Sequence, residues 1–168
     1  MAERLGTGLQ NLVQRFDSAS HLQHEAGTIQ PAFIYLKGML EIGITGRQEE
    51  TVTEELLAKN IGSGRVKVFA TAMMIALMEK TAVISVEPYL EEGQNTVGTG
   101  INVSHCSATP AGLKVWAETE LVEIDRRRLV FKVAAYDECG LIGEGTHERF
   151  IIDMDRFQSK AESKIQAM

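Results

Sequence analysis

Three residues of the chain have the side-chain types that acyl-transfer or hydrolytic chemistry requires. Glu79 lies in the apolar segment 72–86, and on a helix its neighbours at three and four residues are all isoleucine, alanine or valine. An ionised carboxylate in such surroundings is costly unless it is paired, hydrated or used in a reaction. A hydroxyl at Thr71 and an imidazole at His105 would complete a set that can activate a nucleophile.

Each of these three residues also has a purely structural interpretation. Thr71 could serve only as a helix cap, which is a common role for threonine at a helix start. His105 could be a strand histidine that is satisfied by one hydrogen bond. Glu79 could be a carboxylate paired with Lys80 or Arg149. The residues alone therefore leave a reactive site and a set of structural side chains as alternatives.

The positions of these residues depend on one apolar helix, which we expect to begin near Thr71 and to end before Pro88. The segment is shorter than a membrane span and contains Glu79 and Lys80, so we interpret it as a buried helix of a soluble protein, with no membrane partner. A helix that is apolar on every side needs cover on every side. A curled sheet would supply most of that cover, and a second copy of the chain could supply the rest.

The second half of the chain predicts four long strands, the last three joined by hairpin turns at Asp125-Arg126-Arg127 and Glu138-Cys139-Gly140. Apolar and polar residues alternate through it, as in a sheet with one buried face. In the third strand the buried face is predicted to hold Leu129, Phe131, Val133 and Ala135. The four strands are expected at residues 95–105, 112–124, 128–137 and 141–153. One helix followed by an antiparallel meander indicates an α+β fold.

The remaining segments have weaker signals. Apolar residues at helical spacing between Leu5 and Phe16 predict a short amphipathic helix over residues 3–16. We interpret residues 1–38 as an extension, either peripheral or used for a dimer or partner contact, and residues 39–168 as the main domain. Within residues 39–58 the pattern is ambiguous, because 51–53 suits a strand and 54–59 suits a helical turn.

Composition excludes several classes of protein. The 168 residues include 24% charged residues with a net charge of −6, which argues against nucleic acid as a partner. Cys106 and Cys139 form no Cys-x-x-Cys motif, and the chain start lacks the apolar core of a secretory signal. We therefore expect a reduced, cytoplasmic protein. His21 and His24 have no evident third ligand, so no metal or other cofactor is expected.

The order and spacing of seven short motifs resemble those of the hotdog-fold acyl-CoA thioesterases, in the branch that includes fluoroacetyl-CoA thioesterase. The resemblance covers about residues 39–155. Its motifs are Gly62-Ser-Gly64, Val68-Phe-Ala-Thr71, Ile75-Ala-Leu-Met-Glu79, Val97-Gly-Thr99, Val103-Ser-His105, Ala108-Thr-Pro110 and Gly145-Thr-His-Glu-Arg149. It implies a hotdog fold, in which a long antiparallel sheet wraps a central helix.

The resemblance also implies an activity, the hydrolysis of an acyl-CoA thioester by a catalytic trio of Thr71, Glu79 and His105. It places the Gly98 backbone near the thioester carbonyl and implies a homodimer with sites at the subunit interface and no metal. Arg149 is expected to support the site or to contact the substrate. A non-catalytic acyl-CoA or acyl-carrier binding module is the main alternative, and a hydratase on the same fold is another.

One segment departs from the pattern of this branch. The fluoroacetyl-CoA specialist has aromatic residues just ahead of the Phe-Ala-Thr motif, where they help to close the pocket. Here the same place is occupied by Gly64-Arg65-Val66-Lys67. This departure predicts a substrate other than fluoroacetyl-CoA and leaves the general acyl-CoA assignment intact.

Overall fold

The computed structural model describes residues 38–166, which form one antiparallel sheet, a long helix packed on it and two further helices. The strands are β1 (Thr45–Thr51), β2 (Gln94–His105), β3 (Lys114–Asp125), β4 (Arg128–Asp137) and β5 (Gly140–Asp153). The helices are α1 (Ala58–Ile61), α2 (Thr71–Val86) and α3 (Met154–Gln166), and short 3₁₀ turns span Glu54–Leu56 and Glu87–Tyr89.

The sheet has the order β1-β3-β4-β5-β2, so β1 and β2 are the edges of the part that the structure describes. Tight hairpins join its central strands. Asp125 pairs with Arg128 across the first turn, and Asp137 pairs with Gly140 across the second. Gly140 has a φ of 136°, which side-chain-bearing residues rarely adopt. Both predicted hairpins are therefore confirmed.

Helix α2 packs one stripe of side chains onto the sheet. Its buried residues recur at intervals of three and four and comprise Met74, Leu77, Met78, Thr81, Ala82, Ser85 and Val86. The predicted inner face of β4 is also confirmed, because Leu129, Phe131, Val133 and Ala135 are all buried. Burial of this apolar surface supplies the main stabilisation of the fold.

The opposite side of α2 is uncovered within the described chain. Ala72 and Ala76 are exposed there, although their apolar character is that of a buried helix. The helix therefore presents an apolar face that residues 38–166 of one chain do not bury.

The structure confirms most of the predicted elements. Helix α2 begins and ends as expected, and the four long strands agree within two residues. In the ambiguous segment, the strand that residues 51–53 suit extends only to Thr51, where β1 ends, and residues 54–59 form a 3₁₀ turn and the start of α1. Helix α3 was not predicted. The predicted helix at residues 3–16 lies outside the described residues, and the boundary at residue 38 stays a prediction. Within residues 38–166, no helix is long and apolar enough to span a membrane.

Candidate active site

Thr71 and His105 meet at the start of α2. Thr71 is the first residue of the helix, and His105 is the last residue of β2. The Oγ1 atom of Thr71 lies 2.8 Å from Nδ1 of His105, which is hydrogen-bonding distance. Ala70 occupies the N-cap position and no side chain caps the helix, so the capping interpretation of Thr71 is wrong. The hydroxyl is instead directed to the imidazole.

The environment of His105 favours its neutral form. Burial lowers the pKa of His105, and the nearby backbone of Ser107 opposes this shift only in part. A neutral ring can accept the hydroxyl proton of Thr71 at Nδ1 while Nε2 carries the ring hydrogen. Nε2 is buried and, among the described residues, meets no hydrogen-bond partner. Thr71 therefore makes the side-chain hydrogen bond to this imidazole, beside the backbone of Ser107.

The Thr71–His105 pair opens onto a cavity of about 320 Å³, a volume within the range of small-molecule sites. The side chains that surround it are mostly small or apolar. They belong to Ala58, Ser63, Gly64, Val66, Val68, Phe69, Cys106, Ser107 and Ala108, in addition to the pair itself. A larger groove of about 460 Å³ crosses β1, β3 and β4 and contains none of the predicted site residues.

Glu79 lies away from this pair within the chain. It follows Thr71 by eight residues on α2, which corresponds to about 12 Å along the helix axis. Its side chain is 42% exposed, and its Oε1 atom lies 4.0 Å from Nη1 of Arg149. Within residues 38–166, no hydrogen bond or ion pair joins it to Thr71 or His105. One chain therefore assembles two members of the predicted trio and holds the third elsewhere.

Arg149 and His147 form a buried polar group beside Glu79. Arg149 is 5% exposed and His147 is 1% exposed. Arg149 donates from Nε to the hydroxyl of Thr96 at 2.8 Å and from Nη2 to the carbonyl of Thr96 at 2.7 Å. Its Nη1 atom lies 2.9 Å from Nε2 of His147. Of the two pairings suggested for Glu79 by the sequence, the one with Arg149 is therefore present.

Gly98 faces this group from β2. The strand has a register shift between Gly98 and Gly100, which is a β-bulge at Thr99. A Cβ atom on Gly98 would stand 2.7 Å from Oε1 of Glu79 and 3.2 Å from Cε1 of His147. The carboxylate therefore occupies space that only glycine leaves free.

His147 is the residue of this site that sequence reasoning did not select. The signal was its alternation with Arg149 on one strand, which places both side chains on the same face. The bulge was also missed, although two glycines bracketing Thr99 inside a strand are a recognised sign of one. Among the described residues, no cluster of three or more His, Cys, Asp or Glu could hold a metal ion.

The segment that contains these site residues is similar in sequence to known proteins. The family model described as fluoroacetyl-CoA-specific thioesterase matches residues 52–155, a range that includes every site residue named above. The fluoroacetyl-CoA thioesterase of Streptantibioticus cattleyicolor is 45% identical over 101 residues, covering 60% of this chain and 73% of the relative.

Solved structures give the same result for the fold. A structure of fluoroacetyl-CoA thioesterase matches with a TM-score of 0.72 at 34% identity, covering 76% of this chain and 98% of the other. A thioesterase superfamily member from Thermus thermophilus matches with a TM-score of 0.70 at 26% identity, covering 76% and 97%. These matches confirm the predicted α+β hotdog fold.

Proposed function

Because the chain belongs to the fluoroacetyl-CoA-specific thioesterase family, it is an acyl-CoA thioesterase, and we propose that it cleaves its substrate at the Thr71–His105 pair. The reaction is the hydrolysis of an acyl-CoA thioester to a free acid and coenzyme A. The family match confirms the resemblance that the sequence motifs predicted.

The observation that carries this assignment is the 2.8 Å contact between Oγ1 of Thr71 and Nδ1 of His105. A hydroxyl that donates to a neutral imidazole is the arrangement of a nucleophile and its general base. In the first step, Oγ1 attacks the thioester carbonyl carbon while its proton passes to Nδ1. The carbon–sulfur bond then breaks, and the departing sulfur takes that proton. Water, deprotonated by the same imidazole, hydrolyses the acyl-Thr71 ester and restores the hydroxyl.

The start of α2 can stabilise the negative charge that develops on the carbonyl oxygen. The first N–H groups of a helix lack intrahelical acceptors and lie at the positive end of its dipole. No side chain caps them here, and the N–H groups of Met73 and Met74 bond to the carbonyl of Ala70, so those of Thr71 and Ala72 are the ones offered to substrate. Such preorganised donors contribute about 3 to 4 kcal/mol each to transition-state stabilisation.

The edge strand β2 is unpaired on its outer side among residues 38–166, and we propose that a second copy of the chain covers it. This strand is twelve residues long and carries no charged side chain, so its free backbone groups are a template for pairing. Ile101 pairs with the buried His147 and therefore faces the helix side of the sheet, yet it remains 37% exposed. These features support a homodimer that joins two copies of β2.

Antiparallel pairing of two β2 strands would also bring the separated site residues together. His105 and Gly98 lie on the same face of β2, seven residues apart, which is about 23 Å of extended strand. A twofold axis near Ile101 and Asn102 would set His105 opposite the partner subunit's Gly98. The partner's Glu79 would then approach Thr71, and the trio would be completed across the interface. There the Glu79 carboxylate would accept a hydrogen bond from the attacking water and so position it.

The acyl group that fits the cavity is set by residues 63–68. Gly64, Val66 and Val68 line the cavity, and Val66 is largely exposed at its rim. Small and aliphatic side chains at this place leave room for an acyl group longer than fluoroacetyl. We therefore propose an aliphatic acyl-CoA as the substrate.

We also propose a cytoplasmic location. The two cysteines are free and exposed, which supports a reducing compartment.

Thiol release from a panel of acyl-CoAs tests the proposed function. Thr71→Ser, which keeps a hydroxyl, should retain measurable turnover, whereas Thr71→Val and His105→Gln should lower kcat by about 100-fold or more. Mass spectrometry of the Thr71→Ser protein after rapid quenching should detect the acyl-enzyme. Calorimetric binding of acyl-CoA without thiol release would contradict the assignment and favour the non-catalytic binding module. Unchanged turnover in Thr71→Val would show that the site lies elsewhere.

A further inference from the structure

We infer that His147 is a positioning residue, whose neutral imidazole links the bulge of β2 to the guanidinium group that faces Glu79. The inference rests on the proposed role of Glu79. It concerns a residue that touches no substrate, because its side chain lies behind Glu79 and Gly98 and is almost completely buried.

Two partners of fixed polarity determine the form of the imidazole. Nδ1 of His147 lies 2.9 Å from the carbonyl oxygen of Gly100, which can only accept a hydrogen bond. Nε2 lies 2.9 Å from Nη1 of Arg149, which can only donate one. Nδ1 must therefore carry the hydrogen and Nε2 the lone pair. A protonated ring would set two N–H groups of His147 and Arg149 against each other.

The first of these contacts stabilises the bulge. At a bulge the ladder of strand hydrogen bonds is locally disrupted, so a carbonyl there needs another donor. His147 supplies that donor to Gly100 from the neighbouring strand β5. The position of Gly98, two residues away, is thereby fixed relative to Glu79.

The second contact holds the cation that faces the carboxylate. Arg149 is fixed at three of its nitrogen atoms, through two bonds to Thr96 and one to His147. Its Nη1 atom, which bonds His147, lies 4.0 Å from Oε1 of Glu79, and Nε2 of His147 lies 3.7 Å from the same oxygen. Loss of the acceptor on His147 would release Nη1 and let the Glu79 carboxylate move. Burial lowers the pKa of His147, and the positive charge of Arg149 lowers it further. The hydrogen bond to Gly100 and the negative charge of Glu79 raise this pKa by less, so the ring stays neutral at pH 7.

Two substitutions separate the two contacts. In His147→Asn the side-chain amide can replace Nδ1–H toward Gly100 but offers nothing to Arg149. In His147→Gln the side-chain oxygen can replace Nε2 as an acceptor for Arg149. We expect kcat to fall about tenfold or more in His147→Asn with KM changed less than about twofold, and to fall by a smaller factor in His147→Gln, which loses only the contact with Gly100. Added to Glu79→Gln, the asparagine substitution should cause no further loss.

Equal, wild-type kcat in both His147 variants would overturn the inference, as would a full additional loss in the double variant. If the wild-type protein released no thiol, the proposed function would fail instead, which is a different result.

A second measurement needs neither activity nor a variant. Nitrogen-15 shifts of the His147 ring in the wild-type protein should report a neutral ring protonated at Nδ1 at pH 7 to 8, and an imidazolium or an Nε2–H ring there would overturn the inference.

Discussion

The Oε1 atom of Glu79 lies 2.7 Å from the position that a Cβ atom on Gly98 would occupy. A helix side chain and a strand backbone are thus in direct contact at the site, and the contact depends on the absence of a side chain. The carboxylate is partly exposed on its other side and faces Arg149. Glu79 is therefore held, and presented outward, by its own chain.

Gly98→Ala should displace this carboxylate. The new methyl group meets the mobile end of Glu79 and forces the ring of His147 to shift by a few tenths of an ångström. We expect kcat to fall about tenfold to a hundredfold with the free energy of unfolding changed by about 1 kcal/mol. Gly100→Ala is the matched control, because its nearest contact would be Glu148 at an ordinary 3.8 Å. Equal losses of kcat in the two variants would argue against a specific role for Gly98.

The rate should fall on the acidic side when His105 becomes protonated. Its imidazole accepts a proton in the first step, so only the neutral form is active. Burial lowers the pKa of His105 from 6.5, and the acidic limb of kcat/KM should therefore have its midpoint below pH 6.5. Turnover measured chromatographically between pH 4.5 and 8.5 checks this. A midpoint above pH 6.5 would mean that His105 is not a buried base.

Stability should also depend on pH through His147. Its pKa is lower in the folded protein than in the unfolded chain, and burial is the largest cause. At pH values between these two pKa values, the unfolded chain therefore binds more protons than the folded protein. The free energy of unfolding should therefore decrease as pH falls below about 6.5, and the loss should be complete below the folded pKa. In His147→Gln, urea unfolding at several pH values should show a shallower slope, by up to about 1.4 kcal/mol per pH unit. Identical slopes would contradict this.

The edge strand β2 should be the dimer contact. Ile101→Lys places a charge on an edge strand that has none, so it should prevent pairing and give a monomer. Because a monomer lacks the partner's Glu79 at the site, we expect at least roughly tenfold less activity. Val122→Lys is the control, since Val122 is 39% exposed against 37% for Ile101 but lies on β3, beyond β4 and β5. Sedimentation velocity should show a dimer for the control and a monomer for Ile101→Lys. Dimers in both cases would place the contact elsewhere.

How far the sequence predicts the fold depends on the element. Helix α2 and the four long strands have strong apolar periodicity, so their limits were predictable. Strand β1 is mostly polar, and it becomes a strand because it pairs with β3 from Thr45↔Glu120 to Thr51↔Lys114. Helix α3 could have been found, because Met154, Phe157, Ala161 and Ile165 recur at helical spacing.

The sequence predicted which residues form the site, but it did not predict the distances between them. The motifs selected Thr71, Glu79 and His105, and the structure joins the first to the third. Sequence spacing does not say where along α2 each end of β2 lies, so the distance between Glu79 and His105 could not be predicted. His147 was hidden for a related reason, because its importance comes from partners on β2 that are distant in sequence.

Subunit complementation is the most direct test of a site shared by two chains. Thr71→Val and Glu79→Gln chains, each with strongly reduced but measurable activity alone, are co-expressed with different affinity tags and the mixed dimer is purified. Such a dimer would contain one site with an intact Thr71–His105 pair and the partner's intact Glu79. We predict that it recovers about half of the wild-type turnover per dimer, since one of two sites is restored. No recovery in a confirmed mixed dimer would contradict assembly of the site across the interface.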